Sequence, residues 1–185
     1  WRWWRPSSWP RCPARRSHQP CREGVPGLAD FLAEVVYAGI WDRPHLAIRD
    51  RMVARGPDGA GYWISSDRRV GLAHRRLSII DLSEAGAQPM WNAEYTLCIT
   101  FNGEIYNYKE LRSQLLARGC NFRSQSDTEV LLHLYAESGE AMVHQLRGMY
   151  AFAIWDDRKR SLFLARDPFG VKPLYYADDG RTIRI

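Results

Sequence analysis

The stretch Phe101-Asn102-Gly103-Glu104-Ile105-Tyr106-Asn107 decides how this chain is read. It follows an apolar, strand-like run, Thr96-Leu97-Cys98-Ile99-Thr100-Phe101. Asn-Gly falls where the chain is expected to turn sharply. Both residues tolerate the positive φ of a type I′ turn, so a two-residue hairpin is one reading. The other reading is chemical: an Asn carboxamide beside a Gly N–H supplies two donors that can stabilise an oxyanion. Taken alone, the segment favours the hairpin, because such turns are far commoner. The rest of the sequence shifts the balance.

Four further motifs surround it. Arg55-Gly56-Pro57-Asp58-Gly59 comes first, followed by Gly71-Leu72-Ala73-His74-Arg75-Arg76-Leu77-Ser78-Ile79-Ile80-Asp81. Ser124-Gln125-Ser126-Asp127-Thr128-Glu129-Val130 lies beyond the Asn-Gly pair, and the last is Ala165-Arg166-Asp167-Pro168-Phe169-Gly170-Val171-Lys172-Pro173-Leu174-Tyr175-Tyr176. In this order and spacing the five motifs resemble the glutamine-hydrolysing domain of class II glutamine amidotransferases, most closely the asparagine synthetase branch. The resemblance runs from Arg55 to about Ala177. Any one motif is weak evidence; five in series are strong.

Composition sets the outer bounds. A chain of 185 residues with 45% hydrophobic and 25% charged residues suits one soluble domain with a sizeable core. No apolar run is long enough to span a bilayer; the longest, around Phe31 to Trp41, is broken by Glu34. Cysteines at 12, 21, 98 and 120 have no paired metal-ligand spacing, so neither zinc nor a disulfide framework is indicated. Cys98 reads as a small core residue.

The net charge of +5 belongs to the N-terminus, where Arg2, Arg5, Arg11, Arg15, Arg16 and Arg22 face a single acid, Glu23. Residues 25–185 are therefore balanced and have no electrostatic reason to seek nucleic acid or an anionic membrane. Trp1, Trp3, Trp4 and Trp9 interleave with these arginines, a pattern able to stack on bases or sit at a membrane interface. Pro6, Pro10, Pro13 and Pro20 deny the segment an amphipathic helix, and it lacks the apolar core of a signal peptide. It is read as a disordered or aberrant extension over residues 1–34, with 1–24 mobile. An Arg/Trp-driven binding segment is the alternative.

Along the body, Val70 to His74 and Leu77 to Ile80 read as short strands, and Asp81 to Gly86 as a loop. Tyr108 to Arg118 reads as an amphipathic helix with Leu111, Leu115 and Leu116 on one side. Ser126-x-x-Glu129 is a capping-box pattern opening a helix from Asp127 to about Glu137, closed by Gly139. A short helix from Glu140 to Arg147 is expected to end at Gly148. Tyr150 to Trp155 and Ser161 to Ala165 read as strands joined by a charged hairpin loop, and Leu174-Tyr175-Tyr176 as the start of another. This order supports an α+β domain. The four-layer αββα Ntn-hydrolase sandwich is what the resemblance implies.

The resemblance also implies roles. Arg76 holds the substrate α-carboxylate, a task suited to two parallel guanidinium N–H donors. Backbone groups of Leu77, Ser78, Ile79 and Ile80 line the same pocket edge, their side chains filling core. Asp127 accepts from the α-ammonium with Glu104 beside it, and Asn102 and Gly103 donate to the oxyanion. Arg55 to Asp58 frames the nucleophile strand. His74 reads as structural, and Arg166 and Lys172 as architectural. The implied partner is L-glutamine. Nucleic acid and membrane are not expected as partners, a homodimer is allowed for the full-length family, and the location is cytoplasmic. No cofactor is expected in this chain, since ATP and Mg²⁺ would belong to a synthetase domain that the sequence does not contain.

The resembled enzymes begin with Cys-Gly-Ile-Ala-Gly, the α-amine acting as base for its own thiol. The best echo here is Val36-Tyr37-Ala38-Gly39-Ile40-Trp41-Asp42, which puts Val35 at the nucleophile position. Cys21 is the nearest thiol, but Arg22-Glu23-Gly24-Val25 does not match the family's opening. The expectation is a partial glutamine amidotransferase domain over 35–185, truncated at its C-terminal end, with a glutamine pocket but no nucleophile. Two alternatives stay open: a non-catalytic glutamine-binding module, or the glutaminase half of another class II enzyme with a different acceptor.

Overall fold

The computed structural model describes residues 49–185. The expectations for residues 1–34, for Val35 and for Cys21 lie outside the described residues. After residues 49–51, which are helical, strands β1 (Gly59–Ile64) and β2 (Gly71–Arg76) form an antiparallel pair. A second sheet has the order β3-β4-β5-β6, all antiparallel: β3 (Met90–Trp91), β4 (Leu97–Ile105), β5 (Gly148–Asp156) and β6 (Ser161–Arg166). Helices α1 (Tyr108–Ala117) and α2 (Asp127–Ser138) lie between β4 and β5 in sequence, and β7 (Ala177–Asp178) and β8 (Ile183–Arg184) make a terminal ribbon.

Period two along β4 sorts its side chains between two cores. Ile99, Phe101 and Ile105 join Leu111, Leu115, Val130, Leu131, Leu134 and Phe152 in a cluster between sheet and helices. Cys98 instead joins Val70, Leu72, Ala153 and Trp155 on the opposite face, beneath β1 and β2. The described residues thus build three layers of an α+β sandwich: helices, a four-stranded sheet and a two-stranded sheet.

Several local readings change. Asn102-Gly103 is not a hairpin turn. β4 runs through it to Ile105, with Asn102 opposite Ala151 and Gly103 opposite Tyr150. The long-range partner β5 outweighs the local turn preference of Asn-Gly. Leu77 to Ile80 is not a strand; β2 ends at Arg76, and the chain then passes into a loop held by side chains. Leu174 to Tyr176 is likewise outside β7. The segment Gly139–Gln145 forms a 3-10 helix, and Gly148 opens β5 rather than capping a helix. Leu116 is half exposed while Leu111 and Leu115 are buried, because the helical stripe is only two residues wide. The capping box is half made: Ser126 Oγ accepts from Thr128 N–H at 3.1 Å. Glu129 bypasses the cap and accepts from Arg123 N–H, Ser124 N–H and the Ser124 hydroxyl.

The Asp167-Pro168-Phe169-Gly170-Val171-Lys172 segment is architectural. Asp167 Oδ1 accepts from Phe169 N–H (3.1 Å) and Val171 N–H (2.9 Å), and Oδ2 from Lys172 N–H (3.0 Å) and Tyr150 N–H (3.3 Å). Arg166 grips the same loop through the carbonyls of Lys172 (2.7 Å) and Gly170 (2.5 Å). Burial would raise the Asp167 carboxyl, but the four N–H donors outweigh it and hold it below the usual carboxylate value. A depressed native pKa stabilises the fold above the unfolded value of about 3.9, and that contribution is lost as pH falls through the native value. Asp167→Asn is expected to cost about 1–3 kcal/mol at pH 7 in urea unfolding, and less near pH 3. Equal unfolding midpoints for the two chains at pH 7 would contradict this.

Candidate functional site

The site is organised by one edge of β4. Three of its main-chain N–H groups point away from β5 to side-chain acceptors. Leu97 N–H donates to Asn92 Oδ1 (2.9 Å), Phe101 N–H to Gln88 Oε1 (2.7 Å) and Ile105 N–H to Asp127 Oδ2 (3.0 Å). Alternation in an antiparallel ladder then places the Gly103 N–H on the same edge, between Phe101 and Ile105. Tyr150, opposite Gly103, agrees: its own N–H and C=O face Asp167, not β4. Among the described residues, no acceptor meets the Gly103 N–H.

Gly103 has φ +151°, and a Cβ there would lie 2.1 Å from Met149 O and 2.7 Å from Tyr150 Cα. Only glycine lets β4 approach β5 this closely while exposing its N–H at the edge. The Asn102 side chain shares the inter-sheet face with Cys98 and Thr100. Asn102 is buried, yet no described residue hydrogen-bonds its carboxamide. Two neighbouring donors are thus available side by side.

Asp127 sits at the first turn of α2, buried, one residue-pair along the edge from Gly103. Burial is the main reason its carboxyl is pushed up to about 6, with Glu104 adding to the rise; N–H donors from Ile105, Asp127 and Thr128 act against it. Glu104 is itself exposed at the end of β4.

Arg76, at the end of β2, donates through Nη1 to Ser83 O at 2.8 Å and through Nη2 to Asp81 O. Asp81 Oδ2 accepts from Gln125 N–H at 2.8 Å, which joins the Arg76 loop to the segment opening α2. Ser83 donates to Asp81 Oδ1 through both its N–H (2.8 Å) and its hydroxyl (2.6 Å). These bonds hold the Asp81 carboxyl below its ordinary value, the Ser83 hydroxyl contributing most. Arg76 and Asp127 are therefore brought to one region by a loop, although 50 residues separate them in sequence.

The turn Arg55-Gly56-Pro57-Asp58 frames β2 among the described residues. Asp58 N–H donates to Arg76 O (3.1 Å), and Asp58 Oδ2 accepts from Ser78 N–H (2.8 Å). Leu77 and Ile79 are 53% and 75% exposed, so their side chains do not fill core as expected. Without a strand partner past Arg76, the chain turns outward and Asp58 secures only its backbone. Ser78 and Ile80 are half-buried.

His74 is buried against Thr100, Nδ1 lying 3.3 Å from Oγ1. Burial, helped by the Arg76 charge, lowers it to about 3, so the ring is neutral at pH 7 and ties the two sheets together. Neither described cysteine is poised as a thiolate. Cys98 is fully buried and its thiol is pushed far up; Cys120 is raised by burial and by Glu137. Among the described residues, no group of three His, Cys, Asp or Glu could hold a metal ion, and no helix is long and apolar enough to cross a membrane. Gln88 and Asp81 were not singled out by sequence. Their roles depend on contacts 13 and 44 residues away, which no local pattern announces.

Comparisons with known proteins identify the family. The profile of the glutamine amidotransferase domain family matches residues 37–185. The chain is 54% identical over 125 residues to "Asparagine synthetase [glutamine-hydrolyzing] 1" of Bacillus subtilis, covering 68% of this chain and 19% of that protein. It is 46% identical over 150 residues to a probable asparagine synthetase (glutamine-hydrolysing) of Dictyostelium discoideum, covering 80% of this chain and 26% of that one. The chain thus spans about a fifth to a quarter of the length of these relatives. Among solved structures, the glutamine phosphoribosylpyrophosphate amidotransferase of B. subtilis superposes with a TM-score of 0.67 at 23% identity, over 82% of this chain and 40% of that one. That likeness shows a shared α+β sandwich fold. Taken together, the chain belongs to the glutamine amidotransferase domain family, and its domain is homologous to the glutaminase domains of asparagine synthetases.

Proposed function

We propose that this domain binds L-glutamine at the open edge of β4, as the ammonia-donating part of an enzyme that amidates aspartate to asparagine. The observation that carries the reading is the Gly103 N–H, exposed between a filled position at Phe101 and a buried carboxylate at Ile105, with the Asn102 carboxamide next to it. Arg76 takes the α-carboxylate through N–H groups not spent on Asp81 and Ser83. Asp127, assisted by Glu104, takes the α-ammonium. Backbone groups of Leu77, Ser78, Ile79 and Ile80 form the pocket edge beside Arg76. ATP and Mg²⁺ belong, in this reading, to the synthetase part of such enzymes.

The chemistry follows from those positions. A thiolate attacking the glutamine side-chain carbon drives the carbonyl electron pair onto oxygen, and Asn102 and Gly103 donate to that oxygen. The nucleophile's own α-ammonium, which took the thiol proton, returns it to the leaving nitrogen, so collapse expels ammonia and leaves a thioester, which water cleaves to glutamate and the free thiol. In the motif resemblance Val35 falls where the thiol should be, and burial raises both Cys98 and Cys120, so neither is poised as a thiolate. This chain is therefore read as one that recognises glutamine but does not turn it over, which also gives weight to a glutamine-binding module. Calorimetry is expected to detect glutamine binding, and a coupled assay to detect no ammonia release. Release abolished by Cys21→Ala would overturn the second half and make Cys21 the nucleophile.

A further inference from the structure

The Gln88 carboxamide occupies a place that a neighbouring strand would normally fill. β3 pairs with β4 only at Met90–Ile99 and Trp91–Cys98. One ladder step further on, Gln88 supplies the missing contacts from its side chain. Its Oε1 accepts from Phe101 N–H at 2.7 Å, and its Nε2 donates to Phe101 O at 3.3 Å. The same Nε2 lies 3.3 Å from Thr128 Oγ1, the residue after Asp127.

The surroundings fix this placement. A Cβ on Gly61 would lie 1.9 Å from Gln88 O, so glycine there lets β1 press against the Gln88 backbone. Arg76 and Gly86 bound the same loop: a Cβ on Gly86 would lie 2.5 Å from Arg76 Nη2. A side chain can satisfy Phe101 without continuing along the edge, whereas a strand would also cover Gly103.

We infer that Gln88 is a positioning residue for the oxyanion donors: it fixes β4 at Phe101, ends the ladder there so that the Gly103 N–H stays open, and ties that strand to the helix start that carries Asp127. The inference rests on the reading of Asn102 and Gly103 as donors to the glutamine amide. Gln88 itself touches no reacting atom.

Two measurements on the full chain test it. The first needs no ligand. In Gln88→Ala, hydrogen exchange at the Phe101 amide should quicken by about tenfold or more, with Gly103 N–H and Asn102 NH₂ resonances shifted and Ile99 exchange unchanged. Gln88→Glu keeps the acceptor for Phe101 N–H but not the donor to Phe101 O, so Phe101 protection should return in part. The second compares L-glutamine with L-norleucine, which has the same α-groups but no side-chain amide. Gln88→Ala should lower the preference for glutamine about fivefold to tenfold while norleucine binding is retained. Gln88→Glu should lose that preference too, because it places an acceptor charge near the amide oxygen and cannot donate to Thr128. Unchanged Phe101 exchange, or equal weakening of both amino acids, overturns the positioning role. A wild-type chain that binds neither amino acid overturns the glutamine reading instead, and the ligand-free exchange still decides whether Gln88 holds the strand.

Discussion

Gly103→Ala is expected to destabilise the domain by about 3–5 kcal/mol, combining backbone strain with overpacking. At φ +151° an L side chain is strained whatever the space, and here its Cβ would meet Met149 O at 2.1 Å. The obstacle is main chain rather than a flexible side chain, so β4 and β5 would have to separate to admit it. Those two strands pair over nine positions and form the middle of the main sheet, which leaves little room for local relaxation. Asn102→Ala is the informative contrast. Its carboxamide has no hydrogen-bond partner among the described residues, so its loss should move stability by no more than about 1 kcal/mol. Urea unfolding of both variants checks the pair, and an unchanged midpoint for Gly103→Ala would refute the close-approach argument. In a chain supplied with an N-terminal Cys-Gly-Ile before Ala38, loss of the Asn102 donor should slow glutamine hydrolysis by about 100- to 1,000-fold.

Loss of the proposed recognition charges should have the next largest effect. Asp127→Asn removes a charge-assisted contact worth about 1.5–3 kcal/mol, a loss of roughly 10- to 150-fold in glutamine affinity. The asparagine side chain still offers Ile105 N–H an acceptor, so the fold should survive. Arg76→Ala should weaken binding comparably and also loosen the loop at Asp81 and Ser83, whose carbonyls it holds.

The pH dependence gives this pair a signature. Burial pushes the Asp127 carboxyl up to about 6, and only the ionised form attracts an ammonium. Glutamine affinity should therefore rise between about pH 5 and pH 7, with a proton released on binding. The ligand-free fold shows the opposite sign. Its carboxyl binds a proton more tightly than the unfolded chain between about 3.9 and 6, so this group's contribution to stability falls as pH rises through that window. Calorimetry in buffers of different ionisation enthalpy measures the proton count. The same pH slope in Asp127→Asn as in wild type would remove Asp127 from the ammonium site.

Much of the helical layer was legible in the sequence because its signals are local. Ser126 before Asp127 and Gly139 after Ser138 bound α2 within one turn of chain, and Leu111 and Leu115 mark the buried side of α1. The β5–β6 hairpin was legible for the same reason, two apolar runs around a charged loop. The Asn102-Gly103 pair shows where local reading stops. Its turn preference is real, but pairing with Ala151 and Tyr150, 47 to 49 residues on, holds it in a strand.

Sequence alone determined the kind of domain and the candidate groups, since five motifs in fixed order name Arg76, Asn102, Gly103, Glu104 and Asp127 together. Only the tertiary structure decided how those groups are presented. The opening at Gly103 exists because Gln88 satisfies Phe101 and Asp127 satisfies Ile105 on one strand edge. The Arg76 guanidinium is aimed by carbonyls of a loop that Gln125 anchors from another element. The physical reason is that a main-chain donor is available or spent according to what lies across from it. What lies across is set by packing between segments far apart in the chain.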